Sequence, residues 1–262
     1  TMALIGCVSA LVRRVAFTPE KLKGKSQLEG NAILLLIFTI TTTSFMIESK
    51  EDPSPFWEPI GYQFSEYGLS DRAVVVSYWL HMLAISVFLF LIPLSKHMHL
   101  VMAVPNVFFH DTGPAGKMRP LAMGDDGKAV PLEDLDIDSF GVSSYTQYTW
   151  RQLIDGWSCT SCARCQDVCP AYASGKGLNP MQVIHDVRDY ANEHAPLLLS
   201  GEVPEETMMQ RITEEAVWAC TTCNACVDVC PLYIEHVPKL TDLRRNAMME
   251  TMEYPDVLNT AM

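Results

Sequence analysis

CTSCARCQDVCPAY (Cys159–Tyr172) and CTTCNACVDVCPLY (Cys220–Tyr233) decide how this chain is read. The two runs start 61 residues apart and agree at nine of fourteen positions. Each sets three cysteines at intervals of three, Cys159, Cys162, Cys165 and Cys220, Cys223, Cys226, then a fourth, Cys169 or Cys230, followed by proline. Three thiolates at this spacing can wrap a tight loop around one iron–sulfur cubane, while a fourth displaced by a Cys-Pro turn suits the neighbouring cubane. The spacing therefore predicts two [4Fe-4S] clusters between the halves of an internal repeat, with Cys230 completing the first set and Cys169 the second. Structural zinc needs four tetrahedral ligands and pairs two CxxC knuckles, which leaves the third cysteine and the Cys-Pro ending without a purpose. Cysteines three apart also make a poor disulfide framework. The ninth cysteine, Cys7, lies in an apolar stretch and reads as a small buried hydrophobe.

Hydrophobicity is concentrated ahead of the cysteines. Residues 30–47 (GNAILLLIFTITTTSFMI) and 73–95 (from Ala73, AVVVSYWLHMLAISVFLFLIPL) contain no Asp, Glu, Lys or Arg, and each is long enough to cross a bilayer. Residues 2–12 (MALIGCVSALV) are too short to span and run into Arg13-Arg14, so they read as the tail of a membrane helix that begins before this sequence, without the marks of a signal peptide. Loop 13–29 carries five basic residues against two acidic ones, and loop 48–72 carries six acids against Lys50 and Arg72. Positive-inside places the first loop in the cytoplasm and the second outside, so the helix from Ala73 delivers both cysteine runs to the cytoplasmic face of the inner membrane. Trp57, Tyr62 and Tyr67, among prolines in the outer loop, suit interfacial anchoring.

Residues 1–110 hold eight basic and eight acidic side chains, and residues 111–262 hold 11 and 23, so the whole net charge of −12 belongs to the second part. That sign disfavours nucleic acid and suits either solubility or steering of a basic redox partner. The expected fold is mainly α, transmembrane helices followed by an α-helical two-cluster ferredoxin domain. The expected divisions are a membrane segment at 1–104 (partial helix 1–12, spanning helices at about 30–47 and 73–104), a connector at 105–139 with a small hairpin at Asp126-Gly127 and an acidic loop at 133–138, and the cluster domain at 140–262. Within that domain helices are expected from Asn179-Pro180 through Tyr190, from Pro204 toward Cys220, and from Pro238 to about Tyr254.

His81 lies within the last spanning segment and His99 lies 18 residues on. On one continuous helix that is five whole turns, a shared face and a separation of about 27 Å, which suits two b haems stacked across the bilayer. An intramembrane histidine defaults to function, although a hydrogen-bonded bundle residue is the plain alternative. His97 points away from that face. His110, His185, His194 and His236 lack such geometry and read as structural or exposed.

The helix YWLHMLAISVFLFLIPLSKHMH resembles the final helix of the nitrate reductase gamma subunit, a quinol-oxidising membrane protein with two b haems. Residues from about Phe140 to Tyr254, with WRQLIDGWSCTSCARCQDVCPAY and WACTTCNACVDVCPLY, resemble the α-helical ferredoxin domain of heterodisulfide-reductase-type proteins. The fusion is similar to the large membrane-bound iron–sulfur oxidoreductases that link electron-transferring flavoprotein (ETF), or a related donor, to the quinone pool. That resemblance implies quinone as substrate, haem b ligated by His81 and His99, and partner ligands from other membrane helices or subunits. It also implies a downstream Cys-Cys-Gly redox domain or subunit and a soluble donor or acceptor such as ETF. A haem-free, membrane-anchored iron–sulfur relay subunit is the alternative; a sensor would not need two complete cysteine sets and spanning helices.

Overall fold

Leucine, isoleucine and phenylalanine all round residues 30–47 make a helix without a polar stripe, and three of its four threonines resolve their own hydroxyls. Thr39, Thr41 and Thr43 each donate to the carbonyl one turn back, at 2.9, 2.8 and 2.7 Å, so the segment needs no water for them. In the computed structural model, which describes residues 2–17, 25–51, 53–113, 118, 120, 130–131 and 140–255, this stretch belongs to α2, Lys25–Glu48. The chain forms two compact units, Thr1–Ser95 and Lys96–Met262. All regular structure among the described residues is helical; no strand occurs.

In the first unit α1 (Met2–Ala16) packs on α2, burying Cys7, and α2 also packs against α3 (Pro59–Glu66) and α4 (Asp71–Leu94). Pro59 opens α3 with the φ a first turn needs, and Ser70 caps α4 by accepting from the Ala73 amide at 3.3 Å. Gly30–Glu48 and Asp71–Leu94 are long and apolar enough to cross a membrane, with mean hydropathies of 1.7 and 2.2. They are not the core of a soluble bundle, since only 17% and 11% of their apolar windows is buried. Along α4, Val76, Trp79, Leu83, Phe90 and Leu94 all face outward.

The continuous helix expected from Ala73 to residue 104 is interrupted. Pro93 sits in the last turn of α4, and Ser95 is extended at φ −128°, ψ 172°. A short 3₁₀ turn, Lys96–Met98, then leads into a separate helix α5, His99–Phe108, which belongs to the second unit. The expected hairpin at Asp126-Gly127 and the acidic loop at 133–138 lie outside the described residues.

The second unit continues with α6 (Trp150–Ser158), α7 (Arg164–Asp167), α8 (Pro170–Ala173), α9 (Pro180–Glu193), α10 (Ala195–Ser200), α11 (Met208–Ile212), α12 (Glu214–Ala219), α13 (Ala225–Asp228) and α14 (His236–Asn246). Its core is built on α9, whose Val183, Val187 and Tyr190 meet Met208, Ile212 and Val217 of α11 and α12 and Leu240 and Leu243 of α14. Caps fix where these helices begin. Asn179 Oδ1 accepts from the amides of Met181 and Gln182 at 3.0 and 3.3 Å, and Thr149–Gln152 and Thr207–Gln210 form capping boxes. The single helix expected from Pro204 is two short ones. Thr207 delays the start, and Thr213, at φ +77°, ends α11 and caps α12 with its hydroxyl. Helix α14 stops short of Tyr254, passing into a π-helical turn at Ala247–Thr251. Gly141, at φ +75°, lets the chain lie against α14: a Cβ there would stand 2.1 Å from the Asp242 carbonyl oxygen.

Candidate metal centres

The repeat is repeated in backbone as well as in sequence. Helices α6 and α12 each end on the first cysteine of a motif, Cys159 and Cys220. The loops that follow turn through left-handed residues at matching places, Ser161 (φ 56°) and Ala163 (φ 63°) in one, Thr222 (φ 53°) and Asn224 (φ 59°) in the other. None of the four is glycine, so each loop holds backbone strain of the kind concentrated at functional sites. The strained turns aim an amide at the first sulfur, Ser161 N–H to Cys159 Sγ and Thr222 N–H to Cys220 Sγ, both 3.4 Å. Single-turn helices α7 and α13 then carry Cys165 and Cys226, and proline opens the turn after Cys169.

These turns gather the eight cysteines around two cavities of similar size. Cys169, Cys220, Cys223 and Cys226 line one; Cys159, Cys162, Cys165 and Cys230 line the other. Each cavity thus takes three cysteines from one motif and the Cys-Pro cysteine from its repeat. Four thiols on the wall of a cavity suit a cluster several atoms across. The two cavities approach each other where Cys165 and Cys226 share an apolar contact with Val237. Cys162 and Cys223, by contrast, are exposed, leaving one thiol of each set at the surface.

Burial pushes the inner thiols up, Cys159 to about 11 and Cys165 and Cys226 to about 12, with neighbouring cysteines adding to the effect. Burial likewise raises Cys220 and Cys230. Such thiols stay protonated until a metal takes the proton's place, which coordination does outright. The cavities are thus suited to bound iron and poorly suited to free thiolates.

Three features beside the cavities were not legible in the motifs. His185 Nε2 lies 3.7 Å from Cys159 Sγ and 3.0 Å from Ser161 Oγ. The Arg244 guanidinium bonds the carbonyls of Val217 and Cys220 at 2.6 and 2.5 Å, tying the first cysteine of the second motif to α14. His236, 2% exposed, lines both cavities, so the sequence reading that left it without a role is incomplete. Burial, with the nearby Lys239 ammonium, pushes its pKa down to about 4.

A buried ionic network holds the segment between Cys230 and His236. Asp155 and Lys239, both 0% exposed, form an ion pair, and Asp155 also meets Arg151 at 3.0 Å. Arg151 reaches Asn106 of α5 and the carbonyls of Phe109 and Tyr233, while Asp155 accepts from the Glu235 amide at 3.3 Å. Asn106 in turn donates to the Leu232 carbonyl at 2.9 Å. Burial alone would raise the Asp155 carboxyl, but Lys239 and Arg151 outweigh it and hold the group below the usual carboxylate range. The spacing Arg151, Asp155 at (i, i+4) was the only trace of this network in the sequence.

In the first unit, His81 Nδ1 lies 2.9 Å from Thr43 Oγ1 and 3.1 Å from the Ile40 carbonyl of α2. An Nδ1–H donated there leaves Nε2 with its lone pair, the state a metal-ligating imidazole needs. His99 opens α5 beyond the break at Ser95, its ring 5.8 Å from that of His97.

Residues 151–231 match the 4Fe-4S dicluster domain family, and that span includes all eight motif cysteines. The chain therefore contains a two-cluster iron–sulfur domain of the electron-transfer type. Its relatives are oxidoreductases or related redox proteins. It is 29% identical to the "EtfAB:quinone oxidoreductase" of Syntrophomonas wolfei subsp. wolfei, over 97% of this chain and 40% of that one. It is 32% identical to the "Probable iron-sulfur-binding oxidoreductase FadF" of Bacillus subtilis, over 73% of this chain and 31% of that one. A "Probable membrane-anchored ferredoxin" of Chromohalobacter salexigens is 35% identical over 48% of this chain and 22% of its own length. The chain thus spans well under half the length of these curated relatives. No solved structure matches it.

Proposed function

We propose that this chain passes electrons between a redox partner on the cytoplasmic side, of the electron-transferring flavoprotein kind, and quinone in the inner membrane. The carrying observation is the sorting of eight cysteines into two cavities, each with three from one motif and one from the other, in a chain that also carries helices apolar enough to span a bilayer. On this reading Cys159, Cys162, Cys165 and Cys230 ligate one cubane, and Cys220, Cys223, Cys226 and Cys169 the other. When bound, the clusters supply one-electron redox steps. The protein's part is to hold them, to keep water from their inner faces with Ile234, Val237 and Leu240, and to present an edge of each at Cys162 and Cys223. The relative from Syntrophomonas wolfei supports ETF and quinone as partners by its name, and the membrane-anchored ferredoxin relative supports the location.

Haem b is the finer part of the proposal. The contacts of His81 Nδ1 with Thr43 and Ile40 support His81 as an axial ligand whose partner ligand comes from another membrane helix or subunit. His99 is proposed as the ligand of a second haem on the strength of the family resemblance alone. The test is a pyridine haemochrome assay on the membrane complex, with His81→Ala and His99→Ala beside the wild type and EPR to count the clusters. Loss of one haem in each variant, with both clusters kept, supports the whole reading. A complex with two clusters and no haem would leave the anchored relay as its function.

A further inference from the structure

His236 is the first residue of α14; at the matching place in the first half of the repeat, the first residue of α9, stands Pro180. Both are buried. A proline satisfies the fold at this place in one half, so packing does not by itself ask for an imidazole in the other. The positions differ in reach. Pro180 lines the cavity of Cys169, Cys220, Cys223 and Cys226, whereas His236 lines that cavity and also the one formed by Cys159, Cys162, Cys165 and Cys230. Its Nδ1 is buried and has no partner at full hydrogen-bonding geometry among the described residues, the Ile234 backbone beside the ring making only a weak contact that favours the protonated form. A buried ring nitrogen without a well-placed partner is costly, and the groups it faces across both cavities are those that would surround bound clusters.

We propose that His236 donates an N–H hydrogen bond to a sulfur of one of the two clusters and thereby sets the difference between their reduction potentials. This rests on the two-cluster ligation proposed above. Reduction adds negative charge to a cluster, and a donor aimed at its sulfur stabilises the reduced form more than the oxidised one, so the bonded cluster takes the electron more readily. An imidazole with one N–H can serve one cluster in this way and not both, which makes a ring in the shared wall a source of asymmetry between two otherwise matching cages.

The experiment is an EPR-monitored redox titration of the holoprotein in its membrane complex, comparing wild type with His236→Leu and His236→Gln. Iron content and the wild-type spectrum come first: absence of two clusters there sinks the ligation reading itself. With both clusters present, His236→Leu should lower one midpoint potential about tenfold in the reduced-to-oxidised ratio, about 59 mV for a one-electron couple. The other potential should stay in place, and His236→Gln, which keeps an N–H donor, should restore most of the shift. Unchanged potentials in His236→Leu overturn the proposal, as do equal shifts in the Leu and Gln variants. Should the Leu variant not assemble, ¹⁵N-histidine-labelled protein that keeps His236 and carries His185→Gln as its one substitution decides. A ¹⁵N coupling to one reduced cluster by pulsed EPR supports the bond, and no coupling to either cluster refutes it.

Discussion

Replacing Asp155 by Asn should loosen the whole second unit, and the cluster held partly by Cys230 first. Asp155 is fully buried between Lys239, also fully buried, and Arg151, so its removal as an anion leaves the Lys239 ammonium facing a neutral amide while Arg151 keeps the Glu235 carboxylate at 3.9 Å. Breaking a buried ion pair from one side costs about 3–5 kcal/mol. Taking the low end, because Arg151 keeps the carbonyls of Phe109 and Tyr233, gives about 3 kcal/mol. A cofactor-bearing protein does not unfold by a clean two-state equilibrium, so the measurement is kinetic: the rate at which cluster absorbance disappears in fixed guanidinium under anaerobic conditions. If the interaction is lost before the barrier, that rate rises on the order of 100-fold. Lys239→Met should accelerate it less, since Asp155 keeps Arg151. The double variant should fall well short of the product of the two single effects, since it removes one charge of each sign. An Asp155→Asn protein that loses its clusters less than threefold faster, or a double variant whose effects multiply, would refute the view that this network holds the segment from Leu232 to Lys239.

Cys169→Ser should abolish the cluster of Cys220, Cys223 and Cys226 while sparing the one beside Cys159, with iron content falling by half and one EPR signal lost; loss of the other signal reverses the assignment. Acid should expose the Asp155 network. Its folded pKa lies below the unfolded value of about 3.9, so its contribution is present above that value and is lost as pH falls through the folded pKa. The difference in cluster-loss rate between wild type and Asp155→Asn should therefore be constant from neutral pH to about pH 5 and shrink below about pH 4, and a difference that already shrinks at neutral pH points to another group. Electron transfer with a soluble partner should slow as salt rises, because screening cuts the reach of the acidic second part to about 8 Å at physiological ionic strength. A second-order rate indifferent to salt would assign that charge to solubility alone.

The cysteine sets were legible because a cubane imposes its own spacing on a chain, and the same spacing survives in two copies. The helices of the core were legible where apolar periodicity and caps agreed, as at Asn179-Pro180, where a helix runs from Pro180 to Glu193. They were misread where a local conformation carried no composition signal. Thr213 takes a positive φ without being glycine and divides one expected helix into α11 and α12. Pro93 was visible as a kink, but the extended Ser95 and the 3₁₀ turn after it were not, so the one helix expected to carry both His81 and His99 is two. His185 and His236 escaped because their neighbours in the fold are distant in sequence: 26 residues separate His185 from Cys159. Spacing rules see only local neighbours.

That limit bears on how two cages made by one repeat come to differ. The loops match in handedness and in the amide-to-sulfur distance but part after the Cys-Pro step, where Pro170 opens helix α8 in one half and Tyr233 turns left-handed at φ 54° in the other. Further differences enter from residues outside the motifs. His185 stands at Cys159, where Ser161 reaches it, and the corresponding Thr222 bonds its neighbour's carbonyl instead. Arg244 stands at Cys220, bringing a positive charge close to the second set. His236 lines both cavities. A relay with a direction needs unequal potentials. Outside the motifs, the side chains able to make the two cages unequal sit on α9 and α14, the two helices that carry these three residues.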